Sequence, residues 1–453
     1  MNFSIIQKSQ LEGAHRLDAE YYRPEYLEIE NSLRHYPTEK IVDLTAFVKK
    51  GVFDLSPENY RIEGVPFVRV QNIKSGFLDE ENLVYIPGDV HRKEKKTELN
   101  SFDIVLSKVG TVGEVSIIPS HFSQANFSQN VIGLKIRRDK IPKGFLLLFL
   151  LSKFGQLQIA RANMLQVQPK LELKDIRDLL VTRLGDEENY FDDQVHKIED
   201  YIENSKTFYS QAENMLLEDL GLMDKKFDED LATMVKFSEI KSAGRMDADY
   251  FQPKYQKILS LIRANRGIEL GELATVKKGI EPGAEAYQDE GRLFIRVSSL
   301  SKFGITDKDE KYLNEKLYET LKINYQPKVG EVLLTKDASP GVAYALKENI
   351  EGIISGGILR LKMKEDMDPE YLVLCINSVV GQAQVERDAG GSIIRHWKPE
   401  QVKQMLIPIV SKPIQQKIAD LVRQSHEARK KSKQLLEGAK HKVEKMIEEN
   451  RTS

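Results

Sequence analysis

The stretch RLDAEYYRPEY, from Arg16 to Tyr26, returns later in the chain as RMDADYFQPKY, from Arg245 to Tyr255, at an offset of 229. The same register continues beyond it. FVRV at residues 67–70 matches FIRV at residues 294–297, and DIVLSK at residues 103–108 matches EVLLTK at residues 331–336. A repeating unit of half the chain is far longer than the roughly 20–50 residues of a solenoid repeat. We therefore interpret the chain as a tandem duplication of a whole domain.

Length and composition agree with a globular protein of several domains. The 453 residues are 41% hydrophobic and 30% charged, and a domain usually takes about 100–200 residues. The longest apolar run, residues 145–151, is far short of the ~20 residues of a membrane span, and the first ten residues lack the pattern of a secretory signal. We expect a cytoplasmic protein without a membrane span. The single cysteine, Cys375, excludes an internal disulfide, and we expect it to be buried as a small hydrophobic residue.

The types of residue, and the secondary structure that they predict, change along each copy. Residues 41–136 and 268–363 contain short β-branched and aromatic runs separated by Gly, Pro, Asn and Asp, which predicts strands and turns. A helical stretch follows in each copy, at residues 144–161 and 369–386. A short strand-like segment comes next, at residues 179–181 and 405–410. The sequence therefore predicts a mixed α+β fold.

Each copy ends in a long charged helix, predicted at about residues 192–220 and 413–449. In the first, apolar or small residues recur in alternating steps of three and four, which is the spacing of a coiled-coil seam. The seam positions are Val195, Ile198, Ile202, Ser205, Tyr209, Ala212 and Leu216 in the first helix, and Ile414, Ile418, Leu421, Ser425, Ala428, Leu435 or Leu436, Ala439, Val443 and Met446 in the second. Either helix alone would leave its apolar stripe in water, so each needs a partner.

The charges of the two helical regions favour pairing between them. Residues 186–230 carry 15 acidic side chains and 4 lysines, a net charge of −11, whereas residues 411–453 carry a net charge of +5. With the whole chain at −2, the rest of the protein is mildly basic. A basic face that binds nucleic acid can therefore coexist with an acidic helix. The alternative is that each helix only presents a solvated charged face, as we also expect for His426 and His441.

Motifs of common enzymes are absent from the sequence. It has no phosphate-binding P-loop, no glycine-rich dinucleotide turn, no G-x-S-x-G elbow and no H-E-x-x-H helix. It also has no Pro-Pro pair, which a methyltransferase acting on an exocyclic amine would need. We therefore expect a binding protein that is not itself an enzyme. A nuclease or methyltransferase is the less favoured alternative, which stays open because nuclease signatures are degenerate.

The repeated segments resemble the specificity (S) subunits of Type I restriction-modification systems. The resemblance rests on the two RLDAEYY-like segments, FVRVQNIKSG with FIRVSSL, DIVLSKVGTVGEV with EVLLTKDASPGVA, and PIQQKI at the start of the last helix. Two departures are visible. The first long helix opens with FDDQVHKI, a weaker match than PIQQKI, and Asp337 to Pro340 replaces Val109 to Val112 in the loop after the shared lysine.

The resemblance implies two repeated β-rich target recognition domains separated by two long antiparallel coiled-coil helices in a pseudo-twofold arrangement. Each domain would read one half of a bipartite DNA target, and the helices would dock two methyltransferase (M) subunits within a complex that also contains restriction/translocase (R) subunits. The chain itself would hold no cofactor, and S-adenosylmethionine, ATP and Mg would bind to the partner subunits. The expected boundaries are 1–187 for domain 1, 188–230 for spacer helix 1, 231–411 for domain 2 and 412–453 for spacer helix 2.

DNA affinity would come from lysine and arginine on phosphates, and specificity from polar side chains that reach base edges. The candidate residues lie at strand ends and in loops: Lys49, Lys50, Arg69, Gln71, Asn72, Lys74, Lys108, Gln129 and Asn130 in the first copy, and Lys277, Lys278, Arg296, Ser298, Ser299, Lys302, Lys336, Arg395 and His396 in the second. For Lys108 and Lys336 the alternative is a solvated strand end. For Arg69 and Arg296 it is an ion pair within the domain. We expect Trp397 to be packed rather than stacked on a base.

A function of another class also fits the sequence. The two β-rich domains could bind proteins, so that the chain would be an interaction scaffold without DNA affinity. For a DNA-binding protein, log K for DNA falls linearly with the logarithm of the salt concentration. Such a scaffold would show no salt-dependent DNA affinity.

Overall fold

The computed structural model describes residues 4–8, 11, 17–163, 170–223, 233–306, 309–364, 367–389 and 395–449. The chain forms two compact units. Unit 1 is Met1–Ile202 with Lys430–Ser453, and unit 2 is Glu203–Arg429. Each unit thus combines one β-rich part with a portion of each long helix. This grouping differs from the four consecutive segments expected from the sequence, because the buried faces of the helices belong to the same hydrophobic clusters as the β-rich parts.

Unit 1 contains two larger sheets. A five-stranded sheet has the order β2-β9-β6-β7-β4, and a three-stranded sheet has the order β5-β3-β8, while β1 pairs with β10. The strands are β1 (Thr38–Lys40), β2 (Thr45–Lys50), β3 (Val65–Val68), β4 (Gly76–Phe77), β5 (Val84–Ile86), β6 (Ile104–Ser107), β7 (Val115–Ile117), β8 (Asn126–Phe127), β9 (Val131–Ile136) and β10 (Leu180–Thr182).

Unit 2 has corresponding sheets. Its four-stranded sheet has the order β12-β21-β17-β19, its three-stranded sheet has the order β16-β13-β20, and β11 pairs with β23. Two further pairs are β14-β15 and β18-β22. The strands are β11 (Ile268–Glu269), β12 (Ala274–Lys278), β13 (Arg292–Ile295), β14 (Leu300–Ser301), β15 (Gly304–Ile305), β16 (Lys311–Leu313), β17 (Val332–Thr335), β18 (Asp337–Ala338), β19 (Ala343–Ala345), β20 (Gly352–Ile354), β21 (Ile358–Met363), β22 (Arg395–His396) and β23 (Leu406–Ile407).

The helices complete the two units. In unit 1 they are Pro24–Leu33, Ile41–Leu44, Gly88–Lys93, Lys143–Leu151, Lys153–Ala162 and Leu173–Asp178. In unit 2 they are Phe237–Ala243, Pro253–Ala264, Leu270–Leu273, Glu315–Tyr325, Pro369–Asn377, Val379–Asp388 and Pro399–Lys403. The two long helices are Glu187–Asp219 and Lys412–Glu449. The expected mixture of helices and strands is therefore confirmed.

The helical stretch predicted in the middle of each copy is two helices rather than one. The break lies at Ser152 in unit 1 and at Ser378 in unit 2, both of which have extended backbone angles. The Ser152 hydroxyl donates to the carbonyl of Phe149 at 2.6 Å. Three residues later stands Gly155, where a Cβ would lie 2.5 Å from the Cα of Leu150. The tight turn therefore depends on a contact between neighbouring helices that helical periodicity does not reveal.

Within each unit, the portions of the two long helices pack side by side, as their seam spacing predicts. In unit 2 the hydroxyl of Ser425 donates to the backbone carbonyl of Ser205 at 2.7 Å. In unit 1 the ammonium of Lys442 lies 3.6 Å from the ring centroid of Tyr190. Small seam residues are buried at this interface, with Ala212 at 0% and Ser205 at 0% exposed. Their size lets the two backbones approach closely enough for a side chain to reach the opposite carbonyl.

His426, expected to be solvated, is buried on the second long helix. The residue is 7% exposed, and its ring stacks on Tyr344 with 5.7 Å between centroids. Neither ring nitrogen has a hydrogen-bond partner among the described residues. Burial, followed by the charges of Lys347 and Arg429, lowers the pKa of His426 to about 3. The expectation was wrong because the helix periodicity does not show that strand β19, which carries Tyr344, packs against this position. His441 is exposed, as expected.

We expect this burial to make the protein less stable in acid. Above pH ~6.5 the ring is neutral in the folded and unfolded states, so it adds no pH dependence. As the pH falls below that value, His426 becomes protonated in the unfolded chain, whereas in the folded protein it stays neutral down to about pH 3. The free energy of unfolding therefore decreases. Urea unfolding at pH 7 and pH 5 should show a smaller loss for His426→Phe than for wild type. His441→Gln is the control. An equal loss in His426→Phe and wild type would contradict the prediction.

Two other expectations are confirmed by burial. Trp397 is 1% exposed and Cys375 is 0% exposed, and both belong to the main hydrophobic cluster of unit 2. Burial raises the pKa of the Cys375 thiol to about 12, so it remains protonated at neutral pH.

Among the described residues, no single helix combines the length and the apolar composition of a membrane span. The bent pair Lys143–Leu151 and Lys153–Ala162, which meet at 64°, passes that test only when both are counted together.

Candidate nucleic-acid interface

In unit 1, three lysines surround one carboxylate at the end of strand β6. The strand ends before Lys108, whose amide donates to the carbonyl of Asn130 at 3.0 Å and whose carbonyl accepts from the amide of Leu171 at 3.1 Å. These two bonds bring Lys170 beside the strand end. The ammonium groups of Lys50 and Lys170 lie 3.7 and 3.3 Å from the carboxylate of Glu172. We call Lys50, Lys108, Lys170 and Glu172 the strand-end cluster of unit 1.

This cluster holds a surplus of positive charge. Burial lowers the pKa of Lys108, and the nearby charges of Lys50 and Lys170 lower it further. Burial alone would raise the pKa of Glu172, but a hydrogen bond from Lys170 and the charge of Lys50 outweigh that effect and lower it. One carboxylate cannot neutralise three ammonium groups. The cluster therefore favours a bound anion, such as a phosphate, which would relieve the repulsion among the lysines.

Unit 2 carries a related cluster at the end of strand β17. The amide of Trp397 donates to the carbonyl of Lys336 at 2.8 Å, which corresponds to the bond between Leu171 and Lys108. Here Asp337 contacts the ammonium of Lys336 and lies 2.8 Å from Nδ1 of His396. Burial alone would raise the pKa of Asp337, but the hydrogen bonds from Lys336 and His396 lower it. With neutral histidine, this strand-end cluster of unit 2 has no surplus positive charge.

Four of the candidates are buried. Lys108 and Lys336 are therefore not at the solvated strand ends weighed as their alternative, and Asn72 and Ser299 are structural residues. Asn72 is 1% exposed, and its side-chain oxygen accepts from the amide of Arg69 at 3.0 Å. Ser299 is 2% exposed, and its hydroxyl accepts from the amide of Arg296 at the same distance. Each fixes the backbone at the end of a strand. We therefore correct the expectation that Asn72 and Ser299 contact DNA. A buried polar side chain that is hydrogen-bonded to its own backbone cannot reach a base edge.

The two candidate arginines make contacts within their own units. Arg69 donates to the carbonyl of Asn82 at 2.6 Å and lies over the ring of Tyr60. Arg296 forms an ion pair with Asp309 at 2.7 Å. The intradomain ion pair weighed as the alternative is therefore present for Arg296. For Arg69 the bond goes to a backbone carbonyl instead.

The remaining candidates are spread over the surface of each unit. Lys49 donates to the carbonyl of Lys96 at 3.1 Å, and Lys302 lies over the rings of Tyr209 and Phe303. Ser298 donates to Asp309 at 3.2 Å. Side chains of several other candidates are exposed or half-buried: Gln71, Lys74, Gln129, Asn130, Lys277, Lys278 and Arg395.

Sequence reasoning missed Lys170 and Glu172. A signal for Lys170 was available, since the offset of 226 that relates Gly155 to Gly381 also places Lys170 opposite the candidate His396. Glu172 had no such signal, because its counterpart at that offset is Lys398. Only the hydrogen bond between Leu171 and Lys108 shows that this carboxylate lies beside the strand end.

Sequence comparison finds a similar stretch in a curated protein. No protein-family model matches it. A stretch of 154 residues, 34% of the chain, is 23% identical to the "Type I restriction enzyme EcoBI specificity subunit" of Escherichia coli. The match spans 32% of that relative, about a third of its length.

Solved structures of similar description also align with the chain. The S subunit of a Type I restriction-modification system from M. genitalium is 14% identical, with 92% of this chain and 96% of that chain covered and a TM-score of 0.40. The HsdS subunit from Thermoanaerobacter tengcongensis is 13% identical, with 91% and 96% covered and a TM-score of 0.28. The similarity rests on the sequence match: over that stretch the chain is similar to the specificity subunit of a Type I restriction enzyme.

Proposed function

We propose that this chain is a DNA-specificity subunit that binds a bipartite target, one half through each unit. The observation that carries the proposal is the strand-end cluster of unit 1, where Lys50, Lys108 and Lys170 lie around the carboxylate of Glu172. Lysines that lack enough internal counter-charge bind phosphates readily, and phosphate contacts supply much of the affinity of DNA-binding proteins. In unit 2 the cluster of Lys336, Asp337 and His396 has no surplus positive charge, so the exposed Arg395 on β22 would supply the contact to the second half of the target.

The exposed loops beside these clusters would supply the sequence specificity. In unit 1 the turn that carries Gln129 and Asn130 is tied to the strand end by the bond from Lys108 to Asn130. Amide side chains can read adenine through two hydrogen bonds, and lysine can read guanine. In unit 2 the exposed Arg395 lies next to His396 on β22. The two units carry different side chains at these places, as two different half-sites would require.

The long helices would set the distance between the half-sites. We propose that they form a spacer in a pseudo-twofold arrangement and dock two methyltransferase subunits, in a complex that also includes restriction/translocase subunits. The chain would then be non-catalytic, and the S-adenosylmethionine, ATP and Mg needed for the reaction would bind to those partners. The E. coli relative is the specificity subunit of a Type I restriction enzyme, which supports a place for this chain in a complex of that kind.

Equilibrium DNA binding at several salt concentrations tests the proposal. Full-length protein should bind duplexes selected from a randomised pool, and log K should fall linearly with log salt at a slope of about −0.9 for each phosphate contacted. The selected duplexes should share two short conserved blocks separated by a gap of constant length. A protein-binding scaffold would show no such affinity, so the absence of salt-dependent DNA binding would reject the proposal in favour of that alternative.

A further inference from the structure

An exposed phenylalanine follows directly on the strand-end cluster of unit 1. Phe53 is 80% exposed and stands three residues after Lys50. The backbone directly before it is held by a hydrogen bond. Val52 is 4% exposed, and its amide donates to the carbonyl of Phe127 at 2.8 Å. Asp54 has a φ of 52°, a left-handed conformation that non-glycine residues seldom adopt. A single exposed apolar side chain is common on protein surfaces, so what distinguishes Phe53 is its position beside the lysines.

The same backbone position in unit 2 carries an acidic residue. Val52 and Ile280 form equivalent isolated parallel bridges, to Ser128 in unit 1 and to Ser355 in unit 2. The residue after each bridge is Phe53 in unit 1 and Glu281 in unit 2. Because both residues are exposed on the same backbone framework, the fold does not require an aromatic side chain here. At this position, only unit 1 carries an aromatic side chain.

The ring lies within reach of DNA held by the lysines. Three residues of chain span at most about 10 Å, which is the length of about three base pairs. A duplex whose phosphates contact Lys50 and Lys170 therefore has bases near Phe53. Exposed aromatic rings at such places stack on bases or enter a base step as a wedge, and pyrimidine–purine steps open most easily.

We propose that Phe53 contacts an unstacked base step in the half-site bound by unit 1, whereas Glu281 makes no such contact in the half-site bound by unit 2. The inference rests on the proposed DNA-binding function. It assigns part of the specificity of unit 1 to the deformability of one base step, in addition to hydrogen bonds at base edges. The acidic side chain of Glu281 would be repelled by the phosphates and cannot stack on a base.

Fluorescence of 2-aminopurine reports unstacking and tests the inference. Full-length protein is mixed with a duplex that the wild-type chain selected from a randomised pool, with 2-aminopurine replacing each adenine in turn. Wild-type protein should raise the fluorescence at a position in one half-site only. Phe53→Ala should abolish the rise and weaken binding roughly tenfold. The matched control, Glu281→Ala, should leave both the fluorescence and its position unchanged. Both side chains are exposed, so neither variant should disturb the fold.

The outcomes separate this inference from the proposed function. Salt-dependent binding without any rise in fluorescence, or an equal rise in wild type and Phe53→Ala, would overturn the role of Phe53 and leave the DNA-binding function standing. Absence of DNA binding by the wild-type protein would overturn both. A rise that is lost in Glu281→Ala and kept in Phe53→Ala would place the opened step at unit 2 and also reject the inference.

Discussion

Replacing both Lys50 and Lys170 with glutamine is expected to make the slope of log K against log salt less steep by about 1.8, since each phosphate contact contributes about 0.9. At moderate salt, DNA affinity should fall roughly a hundredfold. Both side chains are partly exposed and face the same carboxylate, Glu172. Glutamine keeps most of their length and removes only the charge. Lys108 is left unchanged, because it is 6% exposed and its replacement would also disturb packing. Fluorescence anisotropy at several salt concentrations measures both quantities.

The matched control for this double variant is Lys40→Gln. Lys40 is another partly exposed lysine of unit 1, and its ammonium lies 2.7 Å from a carboxylate oxygen of Asp178. Its charge already has a partner, so we expect the slope and the affinity to match those of wild type. If Lys40→Gln changed the slope as much as a cluster lysine does, general surface charge would explain the binding. If the double variant kept the wild-type slope, DNA would have to bind elsewhere.

Inserting one heptad into each long helix is expected to lengthen the gap between the half-sites by about three base pairs. Seven helical residues add about 10.5 Å, and a base pair takes about 3.4 Å. The two insertions are placed opposite each other on the paired helices. Duplications of residues 206–212 and 418–424 meet this condition, because both lie beside the contact between Ser205 and Ser425. A whole heptad keeps small and apolar residues in the seam. Duplexes selected by the variant from a randomised pool reveal the new gap.

A heptad in only one of the two helices serves as the control for this experiment. It leaves seven residues without a partner, and we expect a lower melting temperature rather than a new, constant gap. The native target should bind poorly to the doubly extended variant, because only one of its half-sites can be engaged at a time. An unchanged gap in that variant would show that the helices do not set the spacing.

Repetition and periodicity made much of the architecture predictable. The matching segments at offsets of 226–229 predicted related β-rich parts, and the structure has corresponding strand orders in its two units. The alternating spacing of three and four predicted two long paired helices, observed as Glu187–Asp219 and Lys412–Glu449. These features are local or repeat at a fixed interval, so they are readable without knowing which distant residues meet. The same segments also carried the resemblance that the E. coli relative supports.

The details of the candidate site depended on contacts between residues far apart in sequence. Lys170 joins Lys50 because one backbone bond ties Leu171 to the end of β6. Asn72 and Ser299 looked like base-reading side chains, but they bond to their own backbone. His426 lies on a charged helix and is nevertheless buried against Tyr344. The sequence by itself determined the repeat, the long helices and the family resemblance. Only the tertiary structure decided which charges share a carboxylate and which polar groups lose water, because both depend on distances that no local pattern contains.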